Sequence, residues 1–220
     1  MNLFTNGIKP AIKLTETIAG TSISTVLNSS KTAYLGPNDD VYFYDASNNI
    51  IARIKNLTSF DYGCTQLIID RDASGAATTQ FWNSVGNVNN LASKSFKVIP
   101  TNTTAAGSFL VTFYYTSTEV TNFNAAATPS TFATSQVVKM ANGTYIPAVT
   151  PAIPHFSDAY VANGTVAAYG TSGSTITATF SNTDLSAGFG AGTPGNSLLT
   201  ADFRSKATGN YSDEIGRAHV

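Results

Sequence analysis

The sequence predicts an antiparallel β-sandwich of jelly-roll or related type with one short helix. Three observations point there: short apolar runs alternate at period two, turns rich in Gly, Asn and Asp separate them at short spacing, and only one stretch carries helix-start chemistry. A chain of 220 residues is long enough to build a large sandwich as one unit.

Taken in order, residues 11–18 and 31–35 read as weak strands. Val41-Tyr42-Phe43-Tyr44 turns at Ser47-Asn48-Asn49 and returns as Ile50-Ile51-Ala52-Arg53-Ile54-Lys55, a hairpin. Strict alternation in the return run puts Ile50, Ala52 and Ile54 on one face and Ile51, Arg53 and Lys55 on the other. Asp61-Tyr62-Gly63-Cys64 is a turn into a strand over 65–70, and Arg71 to Gly75 form the next turn. Beyond Phe81-Trp82, strands over 95–99 and 108–115 present Phe96 and Val98, then Phe109, Val111, Phe113 and Tyr115, as apolar faces. Burial of each large side chain contributes roughly 1.5–3 kcal/mol, so these faces can form a core. Thr116-Ser117-Thr118-Glu119 has the form of a capping box, with Val120 and Phe123 following on one helix face. This helix, over 116–123, is expected to close an open end of the sandwich. Later strands are expected over 136–140 and 175–181; in the second, Ile176, Ala178 and Phe180 alternate with threonines. Pro147, Pro151 and Pro154 mark an extended loop between them, or the boundary if there are two domains.

Composition narrows the function classes. Charged residues make up 11%, against roughly 25% in an average soluble domain, and such a hydroxyl- and amide-rich surface suits an extracellular medium. A formal net charge of −1 without a run of like charges argues against nucleic acid as partner. No window approaches the roughly 20 apolar residues of a membrane span, and the first residues lack the pattern of a signal peptide. Cys64 is the single cysteine, read as a small buried hydrophobe.

Candidate chemistry is sparse. Asp70, Asp72 and Ser74, with Gly75, open like a calcium loop, but Phe81 stands where the bidentate Glu belongs, so an ordinary Asp-rich turn is the plainer reading. Calcium is the one cofactor this raises. Zinc would have to draw on Cys64, His155 and His219 alone. His155 lies in a Pro-rich segment and no G-x-S-x-G motif accompanies it. Asp39, Asp40, Asp45 and Asp61 could converge as paired carboxylates or serve as solvated turn residues. Trp82 and Tyr62 are the candidate carbohydrate-binding residues, as rings that could stack on sugars; Tyr34 and Tyr145 are further aromatic candidates. The competing reading puts Trp82 and Tyr62 in the core or a lid.

Several segments together carry a resemblance: Val41-Tyr42-Phe43-Tyr44-Asp45, residues 51–57, Asp61-Tyr62-Gly63-Cys64-Thr65, Ile69-Asp70-Arg71, Gln80-Phe81-Trp82-Asn83, residues 96–100 and 111–116, Glu119-Val120, and Phe180 with Gly188-Phe189-Gly190-Ala191-Gly192. In order and spacing, over about residues 11–192, they resemble a β-sandwich accessory module of secreted multidomain proteins of the Bacteroidota that carry a C-terminal type IX secretion sorting domain. The resemblance implies a secreted or cell-surface location, a structural or adhesive role beside neighbouring domains of the same polypeptide, and no catalytic residues. The signal peptide and sorting domain of that pattern are absent from this sequence. The function expected is thus a non-catalytic structural or adhesion module; a carbohydrate-binding module recognising surface glycans is the alternative, and a hydrolase around His155 or the aspartates the third class.

Residues 1–192 are read as this module, and residues 193–213 as a linker and the truncated first strand of a following domain. The last seven residues, 214–220, resemble the translation of a sequencing adapter. A lone first strand has no partners for its backbone groups. Deletion of 198–220 is therefore expected to leave the melting temperature nearly unchanged, whereas deletion of 175–181 unfolds the domain; a large drop on the first deletion would overturn this division.

Overall fold

The structure is a computed structural model and describes residues 22–26, 30–71, 78–84, 87–140 and 159–193, with side chains for all of these but 70–71, 78–84, 87–89, 140 and 159–161. The strand expected over 11–18, the Pro-rich loop, His155, Asp72, Ser74 and the tail lie outside the described residues.

Twelve strands and one α-helix make up the described chain: β1 (Ser30–Leu35), β2 (Asp40–Tyr44), β3 (Ile50–Asn56), β4 (Gly63–Arg71), β5 (Thr78–Ser84), β6 (Asn87–Ile99), β7 (Phe109–Thr116), α1 (Ser117–Ala126), β8 (Gln136–Met140), β9 (Ala159–Asn163), β10 (Thr165–Tyr169), β11 (Gly173–Phe180) and β12 (Ala187–Gly192). They form an antiparallel β-sandwich with one short helix. One sheet runs β1-β4-β6-β12-β8-β9, with β5 paired to the first half of β6, and the other runs β10-β11-β7-β3-β2.

The core lies between the sheets, where the inward faces of β7 and β11 meet those of β6 and β12. Phe96 of β6 stacks on Phe113 of β7 across the gap, ring centroids 4.2 Å apart. Phe189 of β12 contacts Phe109, Phe113 and Phe180. These contacts join the sheets through aromatic pairs, each worth about 0.5–1.5 kcal/mol beyond burial.

Two features depart from the sequence reading. The first is a bulge: Phe43 pairs with Ala52 but Tyr44 pairs with Ile50, which leaves Ile51 as the extra residue. A bulge breaks period-two alternation. Ile51 and Ala52 therefore both enter the main core, while Ile50 joins a separate cluster with Ile23, Tyr114 and Tyr169. The second is β12, whose sequence Ala-Gly-Phe-Gly-Ala-Gly has little β-propensity yet occupies the middle of its sheet, buried throughout. The absence of a side chain is what the position uses. A Cβ on Gly190 would stand 3.1 Å from Leu91.

The helix forms as its cap predicts, with Thr116 as N-cap and both arms of the capping box made: the Glu119 N–H donates to Thr116 Oγ1 at 3.2 Å, and the Thr116 N–H donates to Glu119 Oε2 at 2.7 Å. Phe123 is buried in the main core, and the helix touches β6 of one sheet and β7 and β11 of the other. It spans the end of the sandwich.

Tyr115 and Tyr62, both buried, make a matched pair of hydroxyls. Tyr115 reaches from β7 across to the other sheet, where its hydroxyl donates to the Lys94 carbonyl at 3.3 Å and accepts from the Ala191 N–H at 3.2 Å. Tyr62 Oη has no hydrogen-bond partner among the described residues. Tyr115→Phe is therefore expected to destabilise by about 1–3 kcal/mol, because a buried N–H loses its acceptor. Tyr62→Phe, which removes only a desolvated hydroxyl, should leave stability unchanged or raised. Urea unfolding of the two variants checks the contrast.

Candidate functional site

On the outer face of the five-stranded sheet, alternation gathers tyrosines. With Phe43 turned into the core, Tyr42 and Tyr44 of β2 face outward and half-buried. In β7, Phe113 and Tyr115 point inward and Tyr114 outward, and Tyr169 ends β10 beside it, their rings edge to face at 5.0 Å. Ile50 and Ile23 complete this cluster. Ile23 is held there because the Ile50 N–H donates to Ser22 O at 2.8 Å and the Ser24 N–H donates to Ile50 O at 2.9 Å.

Arg53 stands opposite Tyr42 in the ladder, and on its other side Thr112 and Thr177 continue the row. Its guanidinium makes a two-pronged pair with Asp40, Nε to Oδ1 at 2.7 Å and Nη2 to Oδ2 at 2.6 Å, with both side chains about a quarter exposed. It also lies 5.5 Å over the Tyr42 ring. The hydrogen bonds to Asp40, opposed by partial burial, hold the Arg53 pKa above its ordinary value. Burial first, then the neighbouring phenols, pushes the Tyr44 and Tyr114 hydroxyls above the usual range. At neutral pH both therefore remain protonated, each able to donate and accept. Neither Tyr44 Oη nor Tyr169 Oη has a hydrogen-bond partner among the described residues.

The residues singled out from sequence fall elsewhere. Tyr62 is fully buried, its ring edge-on to Phe60 at 5.0 Å, and burial pushes its hydroxyl up to about 12. It offers no face to a sugar, which corrects the expectation of an exposed ring. Trp82 lies in β5 opposite Val88, with its side chain outside the described set. Asp70 lies in β4 opposite Ser95, also without a described side chain, so the calcium loop has no described geometry. Among the described residues no group of three or more His, Cys, Asp or Glu could hold a metal. Cys64 is exposed rather than buried, because Thr65 takes the inward position of β4.

The four aspartates each serve local structure. Asp39 accepts from the Gly36 N–H, Asp40 pairs with Arg53, and Asp61 accepts from the Gly63 N–H and the Tyr34 hydroxyl. Asp45, buried, closes the β2–β3 turn by accepting from the Ser47 and Asn49 N–H groups at 2.8 and 2.9 Å. The outward tyrosines have a signal in the sequence. It is the Tyr42-Phe43-Tyr44 alternation, a polar-tipped ring on either side of a core phenylalanine.

No family model, curated protein or solved structure matches the chain. Fold and face define it as an antiparallel β-sandwich that carries a tyrosine-rich patch on one outer surface.

Burial raises the Asp45 pKa, but hydrogen bonds from the Asn49 backbone, the Ser24 side chain, the Asn49 side chain and the Ser47 backbone outweigh it, and the net shift is downward. A depressed folded pKa means that the contribution is fully present above the unfolded value of about 3.9 and is lost as pH falls through the lower folded value. Asp45→Asn is expected to cost about 1–3 kcal/mol at pH 7, and the gap from the parent should close on acidification below about pH 4. Parallel unfolding curves from pH 7 to pH 2 check this; a gap that widens in acid would refute it.

Proposed function

We propose that this chain is a non-catalytic structural or adhesion module of a secreted or cell-surface protein. The observation that carries this reading is how the polar groups are used. The described aspartates hold turns, an arginine and a tyrosine, and the outer face of the five-stranded sheet offers phenols that stay protonated and a neutralised Arg–Asp pair. Such groups recognise a partner; they do not exchange protons near neutral pH. The resemblance to accessory modules of type IX-secreted Bacteroidota proteins supports the location and makes neighbouring domains of the same polypeptide the first partners. Among the described residues no helix is long and apolar enough to cross a membrane. A second reading, a carbohydrate-binding module, is favoured by the tyrosine face.

Brief protease treatment of intact source cells should remove the epitope recognised by antibodies raised against the module, and purified module should hydrolyse no glycosidic or ester substrate. Retention of the epitope inside the cell, or turnover abolished by His155→Ala, would overturn the proposal.

A further inference from the structure

We propose that the outer face of the five-stranded sheet is a binding site for a neutral, hexose-based polysaccharide, centred on Tyr42, Tyr44, Arg53 and Asp40 and floored by Tyr114 and Tyr169. The inference rests on the reading of the chain as a non-catalytic module and names its ligand class.

The shape of the chemistry selects the occupant. A pyranose has apolar C–H faces and a rim of hydroxyls, each both donor and acceptor. Tyr42 and Tyr44 supply partly exposed aromatic surface for the first, and the Arg53–Asp40 pair supplies fixed donors and acceptors for the second. The guanidinium is clamped between the Asp40 carboxylate and the Tyr42 ring, so its remaining N–H groups point in set directions without further loss of side-chain freedom. Asp40 offsets the charge of Arg53 and leaves Lys55 as the one net charge of the patch among the described residues; a single cation is too little to select a polyanion, so the patch suits an uncharged ligand. Lys55 stands opposite Asp40, two residues farther along β3 from Arg53. A peptide adding as a strand would use the edge of β2 or β10, unpaired among the described residues, rather than the face, because strand addition needs unpaired backbone groups.

A second, independent observation concerns the floor. Tyr169 is 8% exposed, and its hydroxyl oxygen is buried without a hydrogen-bond partner among the described residues, as is that of Tyr44. Buried polar groups are nearly always satisfied. These two hydroxyls are donors and acceptors that no described residue uses, and they lie beneath the patch. The floor is also rigid: Tyr114 and Tyr169 pack edge to face, and Ile23 and Ile50 fix their surroundings.

The test is native affinity electrophoresis of the full chain in gels containing xyloglucan, mixed-linkage β-glucan or galactomannan, with polygalacturonate as the anionic control, followed by titration calorimetry with the matching hexasaccharide. Retardation by at least one neutral polysaccharide is expected. Tyr42→Ala and Arg53→Lys, which keeps the charge but loses the fork, should each weaken association about tenfold or more, while Trp82→Ala binds as the parent does. Melting temperatures are measured alongside, and Asp40→Asn, a surface change, serves should Tyr42→Ala fail to fold. Retardation by no neutral polysaccharide, by polygalacturonate alone, or lost in Trp82→Ala but kept in Tyr42→Ala would each overturn the site. An intracellular location would refute the surface module and leave sugar binding by the purified chain as measured, so the two proposals fail separately.

Discussion

The hydroxyl of Tyr115 makes a polar contact across the core, and much of the sandwich depends on where it lands. It meets the opposite sheet beside the shift in register between Gly190 and Gly192, where it serves the Lys94 carbonyl and the Ala191 N–H together. A bulge leaves backbone groups without a ladder partner, and in a dry interior an unmet N–H costs about 1–3 kcal/mol. The tyrosine satisfies that group while its ring packs against Phe96 and Phe132. One side chain thus joins the two sheets at the bulge in the strand that carries Phe189.

Beside it, the buried amine of Lys94 completes the end of the sandwich. It donates to Glu119 Oε2 at 3.1 Å and to the Ser24 carbonyl at 3.4 Å, and it lies 5.2 Å from the centre of the Tyr115 ring. The same Glu119 oxygen accepts from the N-cap of α1. Helix, sheet and the segment at Ser24 are therefore tied through the Lys94–Glu119 pair. Removing either partner of such a buried pair strands the other charge, at a cost of about 3–5 kcal/mol. Its consequence reaches the outer face, because the segment it anchors carries Ile23 into the tyrosine cluster.

The central strand β7 links the two regions. Its inward residues build the aromatic core and its outward Tyr114 floors the candidate site, so the site sits on one of the best-supported strands in the molecule rather than on a loop. Sites carried on strands hold their groups more closely than sites on loops. That rigidity suits recognition of a shape.

Local chemistry determined a good deal by itself. The capping box at Thr116 and Glu119 placed the helix, the threonine alternation of β11 gave its two faces, and the Asn48 turn fixed the hairpin, because each depends on neighbours within a few residues. What only the tertiary structure decided depends on distant partners. Ile51 enters the core because of a bulge against β2, β12 is a strand because aromatic residues of other strands surround Phe189, and Tyr62 is buried because the loop holding Gly107 closes over its hydroxyl. The tyrosine face belongs to the same class. Tyr42, Tyr114 and Tyr169 lie far apart in sequence, and period two says only that each faces away from its neighbour; the order of strands in the sheet brings them to one surface.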